Sequence, residues 1–76
     1  MVNNRIRELR KNQNMSQEAL AEVIHTTQQA VSRIENHAYD IPSESLIKMA
    51  GFFDVTTDYI LGISDVKRDY NGQYRM

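Results

Sequence analysis

The apolar positions of this chain recur at helical spacing. Ile6 and Leu9, with Val2 ahead of them, form one stripe, and Leu20, Ala21 and Ile24 form a second. Val31 and Ile34 form a third, and Leu46, Met49, Ala50 and Phe53 a fourth. Steps of three and four residues place each set on one face of an α-helix. The polar residues between the stripes supply the boundaries. A first helix is predicted over roughly 3–12, capped by Asn3 or Asn4 and ended by the Asn-Gln-Asn run after Lys11. Ser16 reads as the N-cap of a second helix through Ile24, and Thr27 as the N-cap of a third through Asn36. His37 to Ile41 is a loop. Pro42 and Ser43 open a fourth helix, and Thr56 or Thr57 starts a short fifth through Leu61, closed by Gly62.

The stretch from Gln17 to Asn36 carries the most information. It reads as two short helices separated by one break, with small Ala21 where two crossing helices come closest. With Val31 and Ile34 turned inward, Thr27, Gln28, Gln29 and Arg33 face outward. Gln and Arg side chains presented from a helix start suit the reading of base edges in a DNA major groove. A Gln amide can donate to adenine N7 and accept from its N6–H. Arg33, four residues after Gln29 on the same face, can fork onto guanine O6 and N7. A half-site with at least one adenine and one guanine is expected.

Size and composition narrow the classes. With 76 residues the chain is one small domain with a marginal core and little room for a deep pocket. There is no Cys, hence no disulfide framework or thiolate metal site. The start, MVNNRIREL, resembles neither a signal peptide nor a membrane span, so a cytoplasmic, nucleoid-associated location and no membrane partner are expected. The net charge of −1 counts against nucleic-acid binding, but its distribution matters more. Residues 1–37 hold Arg5, Arg7, Arg10, Lys11 and Arg33 against Glu8, Glu18, Glu22 and Glu35; the remainder holds 4 basic and 6 acidic side chains. Weak non-specific binding with a modest salt slope is expected. No metal-ligand spacing, Gly-rich phosphate loop or nucleophile motif is present, so no enzymatic activity, cofactor or small-molecule ligand is expected. His25 and His37 lie at opposite ends of the third helix without companion ligands, which argues against a metal site.

From about Arg5 to Gly62 the chain resembles the XRE-type helix-turn-helix proteins, the class of the phage lambdoid repressors and Cro. The resemblance rests on IRELRKNQNMSQEALAE, the TTQQ start of the third helix, the IEN that ends it, and Pro42 followed by a helix ending in FFDVTTDYILG. It implies an all-α, compact five-helix lambda-repressor-like domain over 1–62, followed by a tail over 63–76. It also implies a transcriptional regulator, a repressor that binds a pseudo-palindromic double-stranded operator as a homodimer, with the third helix in the major groove. By position, Thr27, Gln28, Gln29 and Arg33 match base-facing residues. Arg10, Gln17 and Asn36 match phosphate contacts, and Arg10 and Glu35 match a partly buried ion pair near the DNA backbone.

The departures from the family pattern are informative. His25, His37 and Asp54 stand where the family often has Gly, so a left-handed backbone is expected at each. Each His reads first as a tolerated turn residue; His37, beside Asn36, also reads as a DNA backbone contact. The loop after Asn36 lacks the usual cations and offers Ala38, Tyr39, Asp40 and Ile41. Tyr39 suits either a phosphate or an apolar contact. Ser43, and the helix start it caps, can supply phosphate-binding N–H groups instead. Gly51, inside the fourth helix, marks close packing or an exposed defect.

In the tail, Asn71-Gly72 between Tyr70 and Tyr74 is a hairpin signal. A disordered tail, a dimerisation hairpin and a linker to a further domain compete as its reading. Phe52, Tyr59 and Ile63 are the candidate dimer contacts. A second function class remains open: a protein-interaction module of the same fold, binding a toxin or an anti-repressor. The acidic C-terminal half and Tyr59, Ile60 and Leu61 suit it, although Ile60 and Leu61 read first as core.

Overall fold

The computed structural model describes residues 4–36 and 41–68. Five helices follow in order: α1 (Ile6–Asn12), α2 (Gln17–Val23), α3 (Gln28–Asn36), α4 (Ser43–Phe53) and α5 (Thr57–Leu61). No strand occurs among the described residues. All five helices expected from the stripes and the cap signals form, and the domain is a small all-α helix-turn-helix fold.

Three helix starts are fixed by a hydroxyl that accepts a backbone N–H. Ser16 accepts from Ala19 at 3.0 Å, Thr27 from Ala30 at 3.1 Å and Thr56 from Tyr59 at 3.0 Å. Helix α1 begins later than its sequence suggests. Asn4 Oδ1 accepts from the Ile6 N–H while its Nδ2 donates to the Ile34 carbonyl, so one side chain joins the start of α1 to the end of α3. Ser43 does not cap α4. It is the first helical residue, and Pro42 occupies the cap position without a side-chain bond.

The helix ends share one device. Helices α1, α2, α4 and α5 each close with a left-handed residue and a bond from the next N–H back to a carbonyl five residues earlier. The left-handed residues are Asn14 (φ 58°), His25 (φ 60°), Asp54 (φ 59°) and Gly62 (φ 82°). The closing bonds are Met15 to Arg10, Thr26 to Ala21, Val55 to Ala50 and Ile63 to Asp58, between 2.8 and 3.1 Å. His25 and Asp54 thus adopt the expected conformation, Asn14 is an addition, and His37 lies outside the described residues. The bond from Thr26 pulls the chain into the tight corner between α2 and α3.

Packing follows the stripes. Ile6, Leu20, Ala21, Ile24, Val31, Ile34, Met49 and Phe53 are buried, joined by Val55, Tyr59 and Ile60. Leu9, Leu46 and Ala50 line the edge of this core. Leu61 is half-buried. Helix α2 packs on α3 and α4, α1 on α3, and α4 on α5. Gly51 is exposed, and a Cβ built there would meet nothing within 4 Å, which selects the tolerated-defect reading over close packing.

The chain stays on the domain surface well past Gly62. Arg5 is the anchor: its Nη1 donates to the carbonyls of Tyr59 (2.8 Å) and Ser64 (2.7 Å), and its Nη2 pairs with Asp65 at 2.6 Å. The Thr56 N–H donates to the Lys67 carbonyl at 2.7 Å, and Arg68 pairs with Asp54 at 2.8 Å. This strap corrects one expectation. Tyr59 is buried, with the Arg5 guanidinium 4.1 Å above its ring and Lys67 at 5.8 Å, so it is not an exposed apolar contact. Phe52 and Ile63 are exposed, as are Ile47 and Val66. The predicted hairpin around Asn71-Gly72 and the loop residue Tyr39 lie outside the described residues.

Candidate nucleic-acid interface

Helix α3 turns Val31, Ile34 and Glu35 inward and leaves Gln28, Gln29, Arg33 and Asn36 exposed. Its one acidic side chain is thereby removed from the surface, so the exposed face carries amides and one cation. Thr27 is exposed, with its hydroxyl accepting from the Ala30 N–H and its own proton left to donate. The amide of Asn36 donates to the Ser32 carbonyl at 2.9 Å, which leaves its carbonyl oxygen and second N–H outward. Ser43 is exposed at the first position of α4, and no side-chain hydrogen bond ties it to α3 among the described residues.

Beneath this face runs a connected polar network. Arg10 donates to Glu35 through Nε (2.6 Å to Oε2) and Nη2 (3.3 Å to Oε1), and its Nη1 donates to the Met15 carbonyl at 2.8 Å. Gln17 Nε2 donates to Glu35 Oε1 at 3.1 Å, and Gln28 Nε2 donates to Gln17 Oε1 at 3.1 Å. A carboxylate only accepts, so the Gln17 amide has one consistent orientation, and that orientation sets the Gln28 amide as well. Gln28 keeps its carbonyl oxygen and its second N–H without a partner among the described residues.

Burial raises the pKa of Glu35. Hydrogen bonds from Arg10 and Gln17, the charge of Arg10 and the bond from Arg7 outweigh it, and together they hold the carboxyl below its ordinary value. The group stays ionised near neutral pH, and the network keeps its directions.

The expected site residues therefore divide. Gln17 and Gln28 are joined through the network, and Gln29, Arg33 and Asn36 share the exposed face of α3. His37 lies outside the described residues. Arg10 is a correction: its side chain is 9% exposed and three of its donors are engaged internally, so it holds Glu35 rather than facing a phosphate. The ion pair with Glu35 that the family resemblance implies is present, although the spacing of α1 gives no hint of a partner 25 residues away. Sequence reasoning passed over Arg7, whose Nε lies 3.5 Å from Glu35 Oε1. Its position one turn before Arg10 was the available signal. No group of three or more His, Cys, Asp or Glu side chains suited to a metal ion occurs among the described residues.

A helix-turn-helix family model matches residues 6–60. The chain is similar to the uncharacterized HTH-type transcriptional regulator YobD of Bacillus subtilis (strain 168), with 36% identity over 61 residues. That match covers 80% of this chain and 54% of the relative, so the chain spans about half the length of the curated relative it matches. No solved structure matches. The chain belongs to the XRE-type helix-turn-helix family.

Proposed function

We propose that this domain is a sequence-specific double-stranded DNA-binding module of a transcriptional regulator, with α3 lying in the major groove. The observation that carries the reading is the fixed amide of Gln28. Gln17 and Glu35 leave it presenting one donor and one acceptor outward, the pair that adenine N7 and N6–H complete. Gln29 and Arg33 extend the same face, with Arg33 suited to guanine. Gln17 and Asn36 supply phosphate contacts that set the register of the helix. Ser43 is a further candidate through its backbone N–H. The regulator acts as a repressor that occupies a pseudo-palindromic operator as a homodimer, at the nucleoid in the cytoplasm, and binding rather than catalysis is its activity.

Exposed Phe52 and Ile63 support the homodimer, since large apolar side chains in water favour a covering partner. The same exposure, with that of Ile47, supports a second reading in which the domain docks a protein. Selection of bound duplexes from a random library separates the two. Enrichment of a dyad-symmetric sequence, with half-sites about one helical turn apart, supports the dimeric repressor. No enrichment at low or moderate salt would exclude base reading and leave the protein-docking module.

A further inference from the structure

Two guanidinium groups converge on one buried carboxylate. Arg10 takes both oxygens of Glu35, the shorter bond at 2.6 Å, and is itself nearly excluded from water. Arg7 reaches only Oε1, through Nε, at 3.5 Å, and its side chain is 55% exposed. The two distances assign different tasks. A 2.6 Å charge-assisted bond holds Arg10 in place, whereas contact at 3.5 Å lies at the outer limit of a hydrogen bond. Glu35 can neutralise only one cation, so the trio carries a net positive charge. The surplus belongs to the arginine that meets solvent. Among the described residues the terminal Nη donors of Arg7 have no partner.

The location gives that surplus a use. The Oε1 that Arg7 touches also accepts from Gln17, which in turn orients Gln28. Arg7 therefore sits beside the base-reading face and is aimed by the same carboxylate that organises it. We infer that Arg7 donates to a DNA backbone phosphate flanking the recognition helix, steered there by Glu35. This rests on the DNA-binding reading above. A guanidinium fork matches phosphate geometry, and the weak bond to Glu35 is readily exchanged for one to an anion.

The test measures binding of the full chain to its selected operator and to a random duplex across salt concentration, for wild type, Arg7→Ala, Arg7→Gln and Arg7→Lys. Removing one phosphate contact lowers the slope of log K against log salt by about 0.9 per protomer. Between roughly 50 and 200 mM salt, the wild type should therefore weaken by about 3.5-fold more per protomer than Arg7→Ala or Arg7→Gln. The difference should be the same on both duplexes, and Arg7→Lys should keep the wild-type slope. A purely structural role shifts affinity or Tm and leaves the slope alone. An unchanged slope in the neutral variants, with wild type binding normally, overturns this inference and spares the proposed function. Wild type that binds neither duplex overturns both.

Discussion

Arg10 and Glu35 form a buried ion pair between α1 and α3, with Nε 2.6 Å from Oε2 and the Glu35 side chain fully shielded from water. The pair sets the position of α3 against α1. It also fixes the amides of Gln17 and, through it, Gln28. Stability and the proposed recognition thus meet at one carboxylate.

Breaking a buried pair from one side leaves the other charge stranded, at a cost of about 3–5 kcal/mol. The two sides are unequal here. Glu35→Leu strands Arg10 beside Arg7 and should fall at the upper end. Arg10→Met leaves Glu35 facing Arg7 and Gln17 and should fall at the lower end. The double variant Arg10→Met/Glu35→Leu should be more stable than Glu35→Leu alone. Urea titrations of the three variants decide this; a costlier Arg10→Met, or an additive double variant, contradicts it.

Acid should act through the same group. The carboxyl of Glu35 is held below its ordinary value in the folded chain, so at acid pH the unfolded chain binds that proton more readily. Its contribution is complete above the unfolded value, about 4.3, and is lost as pH falls through the folded value. Urea midpoints from neutral pH down to about pH 3 should fall less steeply for Glu35→Gln than for wild type. Parallel profiles would show that another carboxylate governs the acid limb.

Local chemistry made the helix starts legible, because Ser16, Thr27 and Thr56 need only a neighbour three residues on to act as caps. The stripes likewise named most of the core, and His25 and Asp54 could be placed as left-handed residues. What the chain order concealed was long-range. Periodicity alone does not pair Arg10 with Glu35, 25 residues on; the family resemblance does, and the structure bears that pair out. Tyr59 reads as a surface aromatic until Arg5, 54 residues away, covers it and ties down the following strap. Both arginines turn to partners that periodicity cannot identify, Arg10 buried and Arg5 half-buried. That leaves Arg7, Lys11 and Arg33 as the exposed cations of the N-terminal half, which deepens the expectation of modest phosphate grip.

Two backbone sites should respond to substitution without disturbing recognition. Gly51→Ala adds a methyl to an exposed helical position with open space around it, and should add about 0.5–1 kcal/mol. His25→Gly relieves a left-handed L-residue at the α2–α3 corner and should gain a similar amount, about 0.5–1 kcal/mol. Each corresponds to a rise in Tm of roughly 2–8 °C for a domain of this size. A fall in Tm for His25→Gly would mean that the imidazole makes a contribution beyond its backbone conformation.

Base reading by α3 is proposed to run through an amide whose direction the buried network sets. Its most direct measurement is the affinity of Gln28→Ala for the selected operator and for a random duplex, at one salt concentration. The predicted result is a loss of about 1–3 kcal/mol on the operator and a far smaller loss on the random duplex. Equal losses on the two duplexes would contradict it, because Gln28 would then be gripping the backbone rather than reading a base.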